Sequence, residues 1–141
     1  MKKFFTFAIA LVASALSFTG CQPTIDHPLV GGWRHDGGVL IVDGQEYYVS
    51  NSIHFFDNGQ YQRNIYIDGT FDGWSDRGEW SVKGDKLTIY TQKAGTIKDN
   101  NFSYSSKNIE EVMTWRIEGH YLYLTYEDGT EERFYDGSGQ F

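Results

Sequence analysis

Residues 78–89 read GEWSVKGDKLTI. Gly84-Asp85 is a two-residue turn signal, and Leu87 and Ile89 after it alternate with polar residues. Strict alternation places successive side chains on opposite faces of a strand, so that one face packs on a core while the other meets water. The stretch therefore predicts an antiparallel β-hairpin.

The same pattern recurs along most of the chain. Asn58-Gly59, Glu118-Gly119 and Asp128-Gly129 mark further turns between alternating runs. Consecutive hairpins favour a meander, and a meander of eight strands closes into a barrel without free edges. We therefore predict an all-β fold, a small antiparallel up-and-down barrel of about eight strands. The predicted strands are near Trp33 and at Val39–Val42, Tyr47–Ser50, Ile53–Asp57, Tyr61–Ile67, Gly78–Val82, Lys86–Gln92, Ile109–Ile117, Tyr121–Glu127 and Thr130–Tyr135, with one or two early runs merged.

The first twenty residues have the composition of a secretion signal. Lys2 and Lys3 precede an apolar run, Phe4–Leu16, that is too short for a membrane span. Small residues then lead to Cys21, the only cysteine. This arrangement resembles the lipobox of bacterial lipoproteins, in which signal peptidase II cuts before the cysteine and the sulfur carries a diacylglycerol. The alternative is an ordinary secretory signal with an incidental cysteine.

The lipobox resemblance implies three segments and a location. Residues 1–20 are the expected lipoprotein signal peptide, residues 21–28 a lipidated tether, and residues 29–141 the barrel domain. Cys21 would anchor the protein in a membrane through its acyl chains. An aspartate directly after the cysteine would resemble the signal that retains lipoproteins in the inner membrane, but the residue at that position here is Gln22. We therefore expect an outer-membrane lipoprotein that faces the periplasm rather than the cell surface.

The charge argues against two classes of partner. The chain has nineteen acidic and twelve basic residues, and loss of Lys2 and Lys3 with the signal would take the net charge from −7 to −9. Nucleic acid binding depends on clustered Lys and Arg, so no nucleic acid partner is expected. An anionic membrane surface would also repel the domain.

Three motifs in order resemble the lipocalin-like (calycin-type) domains of lipoproteins in Bacteroidetes-type bacteria. They are Gly31-Gly32-Trp33, the hairpin Phe55–Tyr61 and the stretch Gly78–Ile89. The resemblance covers Leu29–Tyr135 and implies a lipocalin-like barrel. It also implies that a tryptophan closes one end of the barrel and that an arginine of the last strand packs across it.

The barrel-closing residues implied by this resemblance are Trp33 and Arg133. Arg116 is a competing candidate for the arginine. Both roles are structural, because a stacked Trp–Arg pair stabilises the end of a barrel through packing and a cation–π contact and performs no chemistry.

Residues 68–79, DGTFDGWSDRGE, fit part of a calcium-loop template. The carboxylates at the ligand positions are Asp68, Asp72, Asp76 and Glu79. An EF-hand requires a helix on each side of the loop, whereas the flanking residues here are strand-like. A polar turn is therefore the favoured interpretation, and calcium held by a hairpin loop is the weaker alternative.

No pattern of catalytic residues is present. The chain lacks a G-x-S-x-G nucleophile motif. Its one cysteine, Cys21, would carry the lipid and would not be free to act as a nucleophile. The four histidines, His27, His35, His54 and His120, have no metal-ligand spacing. The sequence therefore predicts a protein that is not an enzyme and needs no cofactor.

The aromatic residues suggest a binding site instead. A barrel lined with Tyr and Trp offers apolar walls and a few hydroxyls, which suits a small amphipathic or apolar ligand. The polar stretch Lys93–Asn108 is long for a hairpin loop, and we expect either a lid over the barrel mouth or a disordered insert there. Asp43–Ser52 and Asp68–Arg77 would also shape the mouth. The candidate ligand-binding residues are Tyr61, Tyr66, Trp74, Trp80, Trp115, Tyr123, Phe102 and Tyr104.

A second function is consistent with the same sequence. Eight strands enclose an interior only just wide enough for side chains, and bulky aromatic residues would fill it. The protein would then be a non-enzymatic protein-binding module, an accessory subunit or inhibitor, whose acidic loops meet a basic partner. A cavity in the barrel is the feature that separates the two functions.

Overall fold

The computed structural model describes residues 24–137, apart from the side chain of Asp36. Its strands are β1 (Gly31–Val42), β2 (Gln45–Phe55), β3 (Gln60–Ile67), β4 (Gly73–Lys83), β5 (Lys86–Lys98), β6 (Asn101–Glu118), β7 (Tyr121–Thr125) and β8 (Glu131–Asp136). Neighbouring strands are antiparallel and follow chain order, and β8 pairs with β1 to close the barrel. The predicted all-β up-and-down barrel of about eight strands is confirmed. The predicted signal peptide and Cys21 lie outside the described residues.

The hairpin predicted from residues 78–89 is formed by β4 and β5. Trp80 pairs with Ile89 across it, and Gly84 turns the chain with a φ of 62°. Gly78 lies opposite Thr91, where a Cβ atom would come within 1.9 Å of the Tyr90 carbonyl oxygen. Only glycine allows the two strands to approach this closely.

Apolar side chains fill the lower half of the barrel, the end that holds the β2–β3, β4–β5 and β6–β7 turns. Phe55 meets the Trp80 ring edge to face at 5.3 Å, and both side chains are buried. T-shaped aromatic pairs of this kind stabilise a core beyond the area they bury. The buried core cluster comprises Leu29, Trp33, Ile53, Phe55, Tyr61, Trp80, Leu87, Ile89, Met113, Leu122, Leu124 and Phe134.

The segment before β1 crosses the lower end and closes it. The Ile25 amide donates to the Asp57 carbonyl at 2.7 Å, and the Trp33 indole Nε1 donates to the Leu29 carbonyl at 2.9 Å. The His27 ring lies 5.0 Å from that of Trp115. The described part of the predicted tether therefore packs on the barrel.

The arginine half of the predicted barrel closure is wrong. Trp33 is buried in the core, whereas Arg133 is exposed and lies over the Tyr121 ring at 4.6 Å. Phe134 points into the core, so its neighbour Arg133 points outward. Arg116, the competing candidate, also stacks on a tyrosine, 4.1 Å from the Tyr123 ring.

The predicted lid does not exist. Residues 93–108 continue β5 to Lys98 and begin β6 at Asn101, with a two-residue turn at Asp99-Asn100. Both turn residues have positive φ, 50° and 65°, as a tight hairpin turn requires. The polar residues of this stretch belong to long strands that rise beyond the apolar core.

The barrel wall has a side opening above the short β7–β8 hairpin. β7 pairs only with Thr114–Glu118 of β6, and β8 pairs with β1 only at Trp33 and Arg34. Within residues 24–137, the upper part of β6 is therefore hydrogen-bonded to β5 alone, and the upper part of β1 to β2 alone. The interior of the upper half is reached from the top and from this side.

Residues 24–137 contain no helix that could span a lipid bilayer.

Candidate functional site

The upper half of the barrel contains a cavity of about 500 Å³. Inward-facing residues of β3, β4, β5 and β6 line it. Ligand pockets for small molecules usually have volumes of about 300–1,000 Å³, so the cavity is large enough for one. The barrel is therefore filled with side chains in its lower half only.

An ion pair forms the floor of this cavity. The Arg63 guanidinium donates from Nε to Asp76 Oδ1 at 3.0 Å and from Nη2 to Asp76 Oδ2 at 2.7 Å. Nη2 also lies 3.6 Å from Glu111 Oε1. Burial alone would lower the pKa of Arg63, but the hydrogen bonds and the charge of Asp76 outweigh it, and the pKa is raised. The arginine is a permanent cation held between two carboxylates.

The floor is tied to the core by Tyr61. Its hydroxyl donates to Asp76 Oδ2 at 2.8 Å and lies 2.5 Å from the Thr91 hydroxyl. Burial raises the pKa of Tyr61 well above its ordinary value, and the charge and hydrogen bond of Asp76 contribute in the same direction. Tyr61 therefore stays a neutral donor that fixes the orientation of the Asp76 carboxylate.

A second tyrosine–carboxylate pair lies close to this floor. The Tyr126 hydroxyl donates to Glu132 Oε1. Burial raises the pKa of Tyr126, and so does the charge of Glu132, while the charge of Arg63 lowers it. Since Arg63 and Glu111 both act on this tyrosine, the two polar pairs belong to one region of the interior.

The walls above the floor are partly apolar. Trp74 meets the Tyr47 ring edge to face at 5.5 Å, and its side chain lines the cavity together with Ala94 and Ile109. Ile109 remains 47% exposed, although it faces inward. A polar floor below apolar walls gives the site an amphipathic lining.

The structure brings two of the eight predicted ligand-binding residues to the cavity. Trp74 lines its wall, and Tyr61 lies beneath its floor. Trp80 is buried in the lower core, where its Nε1 donates to the Phe56 carbonyl at 2.9 Å. Trp115 packs against the same core. These last two tryptophans are structural residues.

The other four predicted ligand-binding residues lie on the outer face of the barrel. Tyr66 donates to Asn100 Oδ1 at 3.2 Å. Phe102 stacks on Tyr104, whose ring is covered by Arg77 at 4.6 Å. Tyr123 is covered by Arg116, as described above. Alternation along each strand turns these side chains away from the cavity.

The four calcium candidates do not converge. Asp68 accepts from the Ser50 hydroxyl at 2.9 Å, and Asp72 accepts from the Asp99 amide at 2.8 Å. Asp76 points into the barrel, whereas Glu79, three residues further along β4, points outward and is exposed. Within residues 24–137, no group of three or more His, Cys, Asp or Glu side chains is placed to hold a metal ion.

Sequence reasoning missed most of the cavity lining. Arg63 shares a strand face with Tyr61 and Ile65, and an arginine on an apolar face was the available signal. Asp76 lies two and four residues before Gly78 and Trp80, on the face of the core tryptophan. Glu111 lies between Ile109 and Met113 on the inner face of β6, so the same signal, a charged residue on an apolar face, was available there.

A scan of protein-family models gives no match to this chain, and a search of curated proteins gives no significant match.

Proposed function

We propose that this protein is a membrane-anchored lipocalin-like lipoprotein that binds a small amphipathic molecule in the upper half of its barrel. The supporting observation is the cavity of about 500 Å³, with the Arg63–Asp76 ion pair as its floor and Trp74, Ala94 and Ile109 in its walls. The binding of a small molecule, without catalysis, is the role that this lining serves best.

The anchoring part of the proposal rests on Cys21 and the segment before it. Cys21→Ser removes the sulfur that would carry the diacylglycerol. We expect the wild-type chain to partition with the outer membrane of a bacterial host and to incorporate labelled fatty acid, and the variant to lose the label. A labelled Cys21→Ser variant, or an unlabelled wild-type chain, would contradict lipidation at this residue.

Native mass spectrometry of residues 22–141, purified from a bacterial host, tests the binding role. This segment contains every residue of the described barrel. We expect a fraction of the protein to carry a molecule of a few hundred daltons. A bare polypeptide mass after expression in several hosts and growth media would count against the proposal.

Two variants at adjacent positions sharpen this test. Ser105 lines the cavity, whereas Ser106 pairs with Lys93 on the outer face. Ser105→Trp places a large ring in the cavity and should abolish retention of the molecule. Ser106→Trp places the same ring outside and should leave retention unchanged. Equal loss in both variants would locate the bound molecule elsewhere.

A further inference from the structure

We infer that the cavity, if it binds a small molecule as proposed, takes a zwitterion: an ammonium group beside Glu111, an anionic group beside Lys107, and an apolar spacer between them. The inference deepens the proposed function by naming the chemical class of the ligand. It rests on how three inward-facing residues of β6 follow one another.

Lys107, Ile109 and Glu111 are spaced two residues apart on β6, and all three line the cavity. The order along this wall is therefore cation, apolar side chain, anion. Four residues of extended strand place the Cα atoms of the two charged residues about 13 Å apart. Both side chains can reach toward the centre of the cavity, and Ile109 lies between them.

Glu111 is an available acceptor for a cationic group. Its Oε1 atom is 3.6 Å from Arg63 Nη2, which is beyond hydrogen-bonding distance, and its side chain is 40% exposed. Arg63 itself is occupied, because two of its nitrogens bind Asp76. An ammonium group of a ligand would gain a charge-assisted hydrogen bond from Glu111 without displacing an existing one.

Lys107 is available to an anionic group. It is exposed, and it makes no ion pair with any of residues 24–137. A β-bulge lies beside Lys107. Thr91 of β5 pairs with Ile109 of β6, but Lys93 pairs with Ser106, so the register shifts across this segment. Bulges re-aim side chains and are frequent beside functional sites. Among the described residues that line the cavity, Lys107 is the only lysine, and the bulge lies beside it.

The spacer would contact Ile109 and the Trp74 ring. Both are apolar side chains exposed to the cavity, and burial against a ligand would remove that surface from water. Trp74 also offers its ring to a nearby cation, a contact that gains strength when water is excluded.

Isothermal titration calorimetry with four probes of equal chain length tests this inference on residues 22–141. The probes are octanol, octylamine, octanoate and ω-amino-octanoate. We expect the zwitterion to bind at least about ten-fold more tightly than either singly charged probe, since each end adds a charge-assisted hydrogen bond. Octanol should bind most weakly.

Single substitutions then assign each end. Glu111→Gln should weaken octylamine and ω-amino-octanoate by about ten-fold and leave octanoate unchanged. Lys107→Met should weaken octanoate and ω-amino-octanoate and leave octylamine unchanged. The matched controls are Glu110→Gln and Lys93→Met, which change exposed residues on the outer face. Circular dichroism verifies that each variant keeps its fold.

The outcomes separate the inference from the proposed function. If octanol binds as tightly as ω-amino-octanoate and Ser105→Trp abolishes both, the cavity binds small molecules and the zwitterion inference is wrong. If every probe binds and the effects of the variants at positions 107 and 111 equal those of their controls, the inference is again overturned. If no probe binds and no molecule is retained, the proposed function itself fails.

Discussion

Arg63 and Asp76 lie on adjacent strands and bind each other through two parallel hydrogen bonds inside the barrel, at 3.0 and 2.7 Å. The side chains are only 20% and 15% exposed. A two-pronged arginine–carboxylate pair is both strong and geometrically specific. It sits where the apolar core ends and the cavity begins, and it therefore defines the boundary between the two halves of the interior.

Removal of one partner of this pair should destabilise the fold strongly. Arg63→Met leaves the buried Asp76 carboxylate without its cation, and we expect the free energy of unfolding to fall by about 3 kcal/mol. The double variant Arg63→Met/Asp76→Leu removes both charges and should be more stable than Arg63→Met alone. Urea denaturation of the wild-type chain, the single variants Arg63→Met and Asp76→Leu, and the double variant measures the coupling. If the effects of the two substitutions on the free energy of unfolding are additive, the two residues do not stabilise each other and the prediction is wrong.

Tyr61 and Tyr126 should make the protein sensitive to alkali. Burial raises the pKa of each above the ordinary value of 10.0, so the folded chain keeps the neutral hydroxyl. Stability from this source is fully present below pH 10 and is lost as the pH rises, because the unfolded chain then ionises first. Urea denaturation at a series of pH values should show this decline.

Substitution at Tyr61 should flatten that decline. Tyr61→Phe removes one of the two buried hydroxyls, so stability should change less steeply above pH 10. Tyr48→Phe changes a tyrosine that is 66% exposed and serves as the control. An unchanged slope in Tyr61→Phe would contradict the proposed source of the alkaline sensitivity.

Trp80 and Trp74 should respond differently to truncation. Trp80 is 5% exposed and packs in the lower core, so Trp80→Ala should cost about 3–5 kcal/mol. Trp74 lies on the open wall of the cavity, so Trp74→Ala should cost about 1 kcal/mol, mainly its edge contact with Tyr47. Urea denaturation measures both costs. Similar costs would mean that the cavity wall is packed as tightly as the core.

Gly78 should resist substitution more than a glycine of the opposite wall. Gly78→Ala forces a Cβ atom to within 1.9 Å of the Tyr90 carbonyl oxygen, and we expect a cost of at least about 1–3 kcal/mol. Gly38 of β1 has only the His35 ring within 3.3 Å of an added Cβ, and that side chain can shift. Gly38→Ala should therefore stay within about 0.5 kcal/mol of wild type. Thermal unfolding of both variants provides the comparison.

Much of the fold is predictable because the apolar core imposes alternation on the sequence. The hairpin of residues 78–89 shows this, with Trp80 and Leu87 inward and turn residues between them. The prediction for Lys93–Asn108 is wrong for the opposite reason. There most side chains of the two strands meet water or the open cavity, so no apolar period marks the stretch, and its polar composition resembles that of a loop.

The cavity was less predictable than the fold. The polar residues around Asp76 predict a solvent-exposed turn, with calcium binding as the weaker alternative, although the spacing of Asp76 from Trp80 places it on the inner face. The position of Lys107 depends on pairing between β5 and β6, including a bulge that no short sequence pattern reveals. Strand register over long distances decides which polar residues meet, and local composition does not contain that information.

The segment before β1, which closes the lower end of the barrel, has a consequence for how the protein would exchange a bound molecule. If Cys21 is acylated, only Gln22 and Pro23 separate it from Thr24, and the three Cα–Cα steps between them reach at most about 11 Å. The sealed end would then face the bilayer, and the mouth would open toward the surrounding water. A bound molecule would arrive from and depart to soluble donors or acceptors. In this orientation the protein would not extract the molecule directly from the membrane leaflet in which it is anchored.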